Sequence, residues 1–101
     1  MTTVHFVAGG LTFEWAAAKA ATNKRKHGVS FEEAATVFGD PLARTIDDPD
    51  DAAGEVRLLI LGMSRARRLV LVVHIERGER LRIISARVAT RQERRTLGEE
   101  G

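Results

Sequence analysis

Cysteine and tyrosine are missing from this chain, proline occurs twice, and the aromatic side chains are four phenylalanines and Trp15. Without cysteine there is no disulfide, no thiolate metal site and no catalytic thiol, and an oxidising compartment loses its main support. Long hydrophobic runs are missing too. Leu58 to Leu61 and Leu69 to Val73 are strand-sized, far short of the ~20 residues that a membrane helix needs. The first residues lack the basic and long apolar regions of a secretory leader, so a cytoplasmic protein with no membrane contact is expected. The acidic stretch Asp47-Asp48-Pro49-Asp50-Asp51 lacks the glycine and terminal glutamate spacing of a calcium loop. It reads as a solvated loop, and neither a metal nor any other cofactor is expected.

Lysine is scarce in a way that matters. The three lysines, Lys19, Lys24 and Lys26, lie in the N-terminal third, and the rest of the positive charge is guanidinium. Residues 31 to 56 set eight carboxylates against Arg44, a net charge of −7; residues 57 to 95 set eleven arginines against three glutamates, a net charge of +8. Arginine forks onto phosphate bidentately where lysine acts as a point charge, so the second half is suited to an anionic partner. A solvated basic surface explains the charge equally well, and composition alone does not separate the two.

At 101 residues the chain is expected to be one domain, 1–101, burying over ~60% of the surface its unfolded form exposes. Residues 1 to 11 read as a short extra strand through Val4 and Phe6, or as an N-terminal extension of little consequence. A brief strand at 12 to 15 follows, then a helix from Ala16 to His27 closed by Gly28. Ser30-Phe31-Glu32-Glu33 is a capping box that opens a second helix to about Phe38, with Phe31, Ala34, Ala35 and Phe38 on one apolar stripe. A short strand is expected from Leu42 to Ile46. Strands at 56 to 63, 68 to 76 and 80 to 88 are separated by hairpin-sized connections and form an antiparallel meander. Thr90-Arg91-Gln92-Glu93 is a second capping box, opening a polar helix to about Leu97. The class is α+β: a twisted antiparallel sheet packed against helices.

Candidate residues follow from side-chain period. On the last strand, Arg80 and Arg82 are expected on one face and Leu81, Ile83, Ser85 and Arg87 on the other, where Arg87 either meets a carboxylate or holds an anion at the sheet edge. Arg57 alternates with Leu59 and Leu61 and shares parity with Glu55, so the two form an ion pair or a phosphate-binding arginine with its orienting carboxylate. His74 on the central strand is more often a core residue than a catalyst. His27 at the end of a helix complements the dipole, and with Lys19 and Asn23 it forms a polar row. Arg65, Arg67 and Arg68 crowd a hairpin tip. Phe13 and Trp15 are expected on opposite faces, one of them in the core.

Two segments about fifty residues apart carry a family resemblance: Phe13-Glu14-Trp15 leading through Lys19 and Asn23 to Lys26-His27-Gly28-Val29-Ser30-Phe31, and Arg82-Ile83-Ile84-Ser85-Ala86-Arg87. Together they resemble the BrnT family, small toxins of bacterial type II toxin-antitoxin pairs whose fold is similar to that of the RelE ribonucleases. The resemblance covers roughly residues 13 to 95 and implies cleavage of messenger RNA, at the ribosome or free of it, and inhibition of translation; arginines in quantity with no cluster of metal-ligand spacing make that cleavage metal-independent in expectation. It also implies a BrnA-type ribbon-helix-helix antitoxin in a heterotetramer that binds operator DNA. On that reading Arg57, Arg68, Arg82 and Arg87 are the cations at the reacting phosphate, with His27, His74 or Glu55 as acid-base groups. Lys19, Lys26, Arg65, Arg67 and Arg80 grip the RNA backbone. The alternative is a non-catalytic module that docks an antitoxin or DNA through its arginines. Family members usually carry an acid where Ala16 stands, which here removes a helix cap worth ~1 kcal/mol. They also place a tyrosine in the last helix, where this chain has Leu97.

Overall fold

The computed structural model describes residues 2–48 and 56–100, the last five in backbone only. Gly9 and Gly10, at φ +58° and +80°, form the two-residue turn that a tight hairpin requires. They join β1 (Thr3–Ala8) to β2 (Leu11–Ala16), with Phe6 opposite Phe13 and Val4 opposite Trp15. The Phe6 and Trp15 rings meet at 5.7 Å. The N-terminal residues are therefore a strand that contributes to the core and not an extension of little consequence. Phe13 and Trp15, two apart in an extended segment, face the same way, and both are buried. The expectation that they would separate is corrected by the strand's period of two.

β2 runs into α1 (Ala17–His27), whose N-cap Ala16 supplies no side-chain hydrogen bond and whose C-terminus closes on Gly28 at φ +70°. α2 (Phe31–Thr36) is capped by Ser30, whose hydroxyl accepts from the Glu33 amide, and it tightens into a 3₁₀ turn at Val37–Gly39. Only half of the expected capping box forms there, because the Glu33 side chain is used elsewhere. β3 (Arg44–Asp47) starts two residues later than expected, since Asp40 accepts from the Leu42 amide in a turn. The remainder of the acidic loop, Pro49 to Asp51, and Glu55 lie outside the described residues. β4 (Arg57–Met63), β5 (Leu69–Arg77) and β6 (Arg80–Val88) form the expected meander, and α3 (Arg91–Glu100) follows.

Among the described residues the sheet has six strands in the order β1-β2-β6-β5-β4-β3. Its one departure from antiparallel pairing is β2 beside β6, a parallel contact limited to Thr12, Phe13 and Glu14 against Arg80, Leu81 and Arg82. α1 and α2 pack on one face. Phe13, Trp15, Phe31, Val29, Val37, Val70, Val72 and Ile83 are the largest fully buried side chains. Burying each is worth about 1.5–3 kcal/mol.

The opposite face is open, and one irregularity decides what it displays. β5 and β6 pair His74 with Ile83, then Val73 with Ser85, so Ile84 is an extra residue in the ladder. Before the bulge, Ile83 faces the core; after it, Ala86 does, at 1% exposure. Ser85 and Arg87 are thereby turned to the open face, joining Arg80 and Arg82. The sequence-based assignment of Arg87 to the face of Leu81 and Ile83 is corrected for this reason: a bulge inserts one residue and inverts the alternation beyond it.

Candidate functional site

On the open face, register aligns Glu14, Arg82, Ile75 and Arg57 across four adjacent strands. At about 4.8 Å per strand, the Arg82 and Arg57 backbones stand roughly 10 Å apart with Ile75 between them. Glu14 is 6% exposed and accepts from Arg82 Nη1 at 2.9 Å and Arg80 Nη1 at 3.3 Å. Burial pushes its carboxyl up, but the hydrogen bonds and charges of Arg82 and Arg80 outweigh this and leave it below the ordinary carboxylate range. It is an ionised anchor that orients two arginines. Further along β6, Arg87 forks onto Glu93, Nη1 to Oε1 at 2.8 Å and Nη2 to Oε2 at 2.9 Å. Glu93 also completes the Thr90 capping box in both directions. The Arg87 hydrogen bond holds the Glu93 carboxyl down, and the same fork ties the start of α3 to the sheet.

Ser85 belongs to the open face and also to a groove of about 350 Å³ between α1 and β6, lined by Lys19, Asn23, Lys26, His27 and Ile84. The groove exists because β2 leaves the sheet after pairing with Arg82, so among the described residues β6 continues with β5 on one side and no strand on the other. Asn23, 6% exposed, fills that place: its amide donates to the Ala86 carbonyl at 2.8 Å and to the Val29 carbonyl at 3.0 Å, and its oxygen accepts from the Ala86 amide at 3.1 Å. Asn23 is therefore the element that fixes α1 on β6, while Lys19, Lys26 and His27 remain exposed around the groove.

Other predicted residues lie elsewhere. Arg68 points to the helix side, where its Nε donates to Glu33 at 3.0 Å, its Nη2 donates to the same carboxylate, and Nη2 reaches the Gly28 carbonyl at 2.9 Å. Ser64 donates to Glu33 at 2.7 Å, and Arg68 is the chief reason that carboxyl is held low. This is a clamp between the β4–β5 hairpin and the start of α2. His74 is 3% exposed, packs its ring edge-on to Phe38 at 4.8 Å, and has an Nδ1 without a partner among the described residues. It is a core residue on the side away from the arginines. Arg65 and Arg67 are exposed at the hairpin tip, Arg67 at φ +65°, and Glu55 lies outside the described residues. A recess of about 400 Å³ under the β1–β2 turn is lined by Ala8, Leu11, Phe38 and Met63. Its polar groups Thr36 and Asp40 are taken up by the Arg65 and Met63 amides.

Sequence reasoning missed Glu14, Glu33 and Glu93 as the partners of Arg82, Arg68 and Arg87. A signal existed for Glu14: it stands between two aromatics on a strand, so it has to face away from the core they share. The roles of Glu33 and Glu93 depend on tertiary contacts that no local pattern encodes.

The profile of a family described as "Ribonuclease toxin, BrnT, of type II toxin-antitoxin system" matches residues 15–93. Among solved structures, the Brucella abortus ribonuclease toxin BrnT is similar, with a TM-score of 0.60 and 25% identity over 76% of this chain and 94% of that one. No curated protein sequence matches significantly.

Proposed function

The chain belongs to the BrnT family of ribonuclease toxins of type II toxin-antitoxin systems, and on that premise we propose that it cleaves messenger RNA on its open face without a metal and so inhibits translation in the cytoplasm. The observation that supports this reading best is the Ile84 bulge, which gathers Arg80, Arg82 and Arg87 on the face that also carries Arg57. Cleavage next to a 2′-hydroxyl requires a proton acceptor, cations for the phosphorane and a donor to the departing 5′-oxygen. Arg82, held by Glu14, and Arg57, on the far side of Ile75, supply cations to a phosphate lying across β5 and β6. Glu14 leaves further donors of Arg82 available, because it engages Nη1 alone. Lys19 and Lys26 guide the backbone into the α1–β6 groove, and His27 at its rim is the acid-base candidate. In this reading arginine supplies the positive charge that a metal ion supplies in other nucleases.

The partner in this reading is an acidic antitoxin of the BrnA type, a ribbon-helix-helix protein forming a heterotetramer on operator DNA. Leu59, Leu61, Leu71 and Val73 form a half-exposed aliphatic strip on the open face, between Arg57 and Arg87. An amphipathic acidic segment satisfies both components at once, and in doing so shields the arginines. The hold of Glu93 on both terminal nitrogens of Arg87 favours a second, non-catalytic reading in which the face only docks its partner. The deciding experiment is cleavage of single-stranded RNA in EDTA, with and without translating ribosomes, by the free protein and by Arg82→Ala. Chelator-resistant cleavage lost in the variant supports the reading; no cleavage under either condition, or full cleavage by the variant, overturns it.

A further inference from the structure

The family profile begins at residue 15, so β1 lies outside it. In this chain β1 is an outermost strand of the sheet. The bond from the Ala17 amide to the Thr2 carbonyl at 2.9 Å, in line with the Ala8–Leu11 pair at the turn, fixes which residues exchange hydrogen bonds with β2: Thr2, Val4, Phe6 and Ala8. The backbone groups of Thr3, His5 and Val7 consequently point away from the sheet along its free edge. Their side chains lie on the open face, and Val7 is 68% exposed. Edge strands are ordinarily protected by charge, proline or shortness. β3, at the other edge, has four residues, among them Arg44 and Asp47. β1 has six residues, Thr-Val-His-Phe-Val-Ala, with no Asp, Glu, Lys, Arg or Pro.

We infer that β1 pairs antiparallel with β1 of a second copy of this chain, making one continuous sheet across the two. A second copy fits because the edge is complementary to itself. A two-fold axis at His5 sets Thr3 opposite Val7 of the other copy, His5 opposite His5, and Val7 opposite Thr3. In each of these three pairs both residues present outward amide and carbonyl groups, so each pair exchanges both backbone bonds. The facing side chains include β-branched ones, which pack well across strands. No like charges of Asp, Glu, Lys or Arg are brought together across the axis. The axis runs perpendicular to the sheet, so the two arginine faces look the same way and form a single surface of twice the width. This inference stands independently of the ribonuclease reading, since it concerns assembly and not chemistry.

The test is the solution mass of the full chain, made by cell-free synthesis and measured by sedimentation. The expected mass is twice 11.1 kDa. In His5→Pro it should fall to the single-chain value with the circular dichroism unchanged, because the lost amide proton points away from β2 along the edge. Val7→Lys, which puts a charge on the edge without touching the backbone, should do the same even if the proline variant misfolds. A monomeric parent chain, or a dimer that survives Val7→Lys together with a folded His5→Pro, overturns the inference.

Discussion

Asn23 and Ala86, 63 residues apart in sequence, are joined as two neighbouring strand residues would be, with the Asn23 side chain taking the place of a backbone. A carboxamide has one donor end and one acceptor end at the spacing of a peptide group, which few side chains share. Alanine at position 23 leaves the amide and carbonyl of Ala86 and the carbonyl of Val29 without these partners in a buried place. The expected loss is about 1–3 kcal/mol for each buried group left unsatisfied, reduced where water enters. Asn23→Asp should also destabilise, because a carboxylate cannot donate to either carbonyl. Urea unfolding followed by circular dichroism measures both.

Arg87 and Glu93 allow catalysis and structure to be separated. If Arg87 acts on the developing phosphorane charge, Arg87→Ala should lower the cleavage rate about 10²-fold or more, the scale for losing one preorganised donor. Arg87→Lys should recover only part of this, since an ammonium lacks the fork. Glu93→Gln keeps the shape of the cap, frees the guanidinium and should cost less than Arg87→Ala. Rate and RNA affinity are measured in parallel, with turnover expected to fall much more than binding. Equal losses in Arg87→Ala and Glu93→Gln would show that the pair serves only to hold α3.

The pH dependence of stability follows from four groups. Burial lowers the His74 pKa, with the Val72 backbone and Glu76 opposing. A histidine that resists protonation in the folded state stabilises fully above its unfolded pKa, and the contribution is lost as pH falls below about 6.5. Glu14, Glu33 and Glu93 are depressed carboxyls, so their contribution is present above the unfolded value of about 4.3 and is lost as acid protonates them. Stability should be flat near neutrality, decline gently below about pH 6.5 and steeply below about pH 4.5. His74→Leu should remove the gentle part and leave the steep part. Chemical unfolding at a series of pH values checks this.

Gly62 is required for closeness and not for an unusual φ. A methyl group there would come 2.7 Å from Ala43 Cβ, with Asp40 Oδ2 and Val37 Cγ1 both at 3.1 Å. Asp40 is already fixed by the Met63 amide at 2.7 Å. Gly62→Ala should therefore cost about 1–3 kcal/mol as overpacking, read as a fall in melting temperature. No change would mean that the 3₁₀ turn at Val37–Gly39 yields easily.

If the acidic antitoxin covers the arginines, its affinity should weaken steeply as salt rises, since a Debye length of about 8 Å at physiological ionic strength screens exposed charges. Calorimetric titration at low and high salt measures it. An unchanged affinity would assign the complex to the aliphatic strip of Leu59, Leu61, Leu71 and Val73 alone.

Much of the fold was legible in the sequence because its signals are local. The Ser30 and Thr90 caps, the glycine at 28 and the hairpin-length gaps of the meander each depend on a few consecutive residues. The family motifs likewise marked the strand that carries Arg82 and Arg87. The bulge at Ile84 was not legible: Arg-Ile-Ile-Ser-Ala-Arg is compatible with unbroken alternation, and the contacts that go with the shifted register, Asn23 on both backbone groups of Ala86 and the burial of its small side chain, are tertiary. The same limit hid the pairing of Arg68 with Glu33, in which a hairpin residue meets a helix 35 positions earlier.

Trp15 is the sole tryptophan of a chain that has no tyrosine. Its indole is 1% exposed, between Phe6 of β1 and Phe31 of α2. Nearly all the intrinsic fluorescence of the protein thus originates at one point, the junction of the N-terminal hairpin with the helical layer. Peeling of β1 from β2 and undocking of α2 would each admit water to the indole and shift its emission to the red. Unlabelled protein therefore carries its own reporter for local opening there, and a bound RNA or antitoxin that leaves the colour unchanged has left that junction closed.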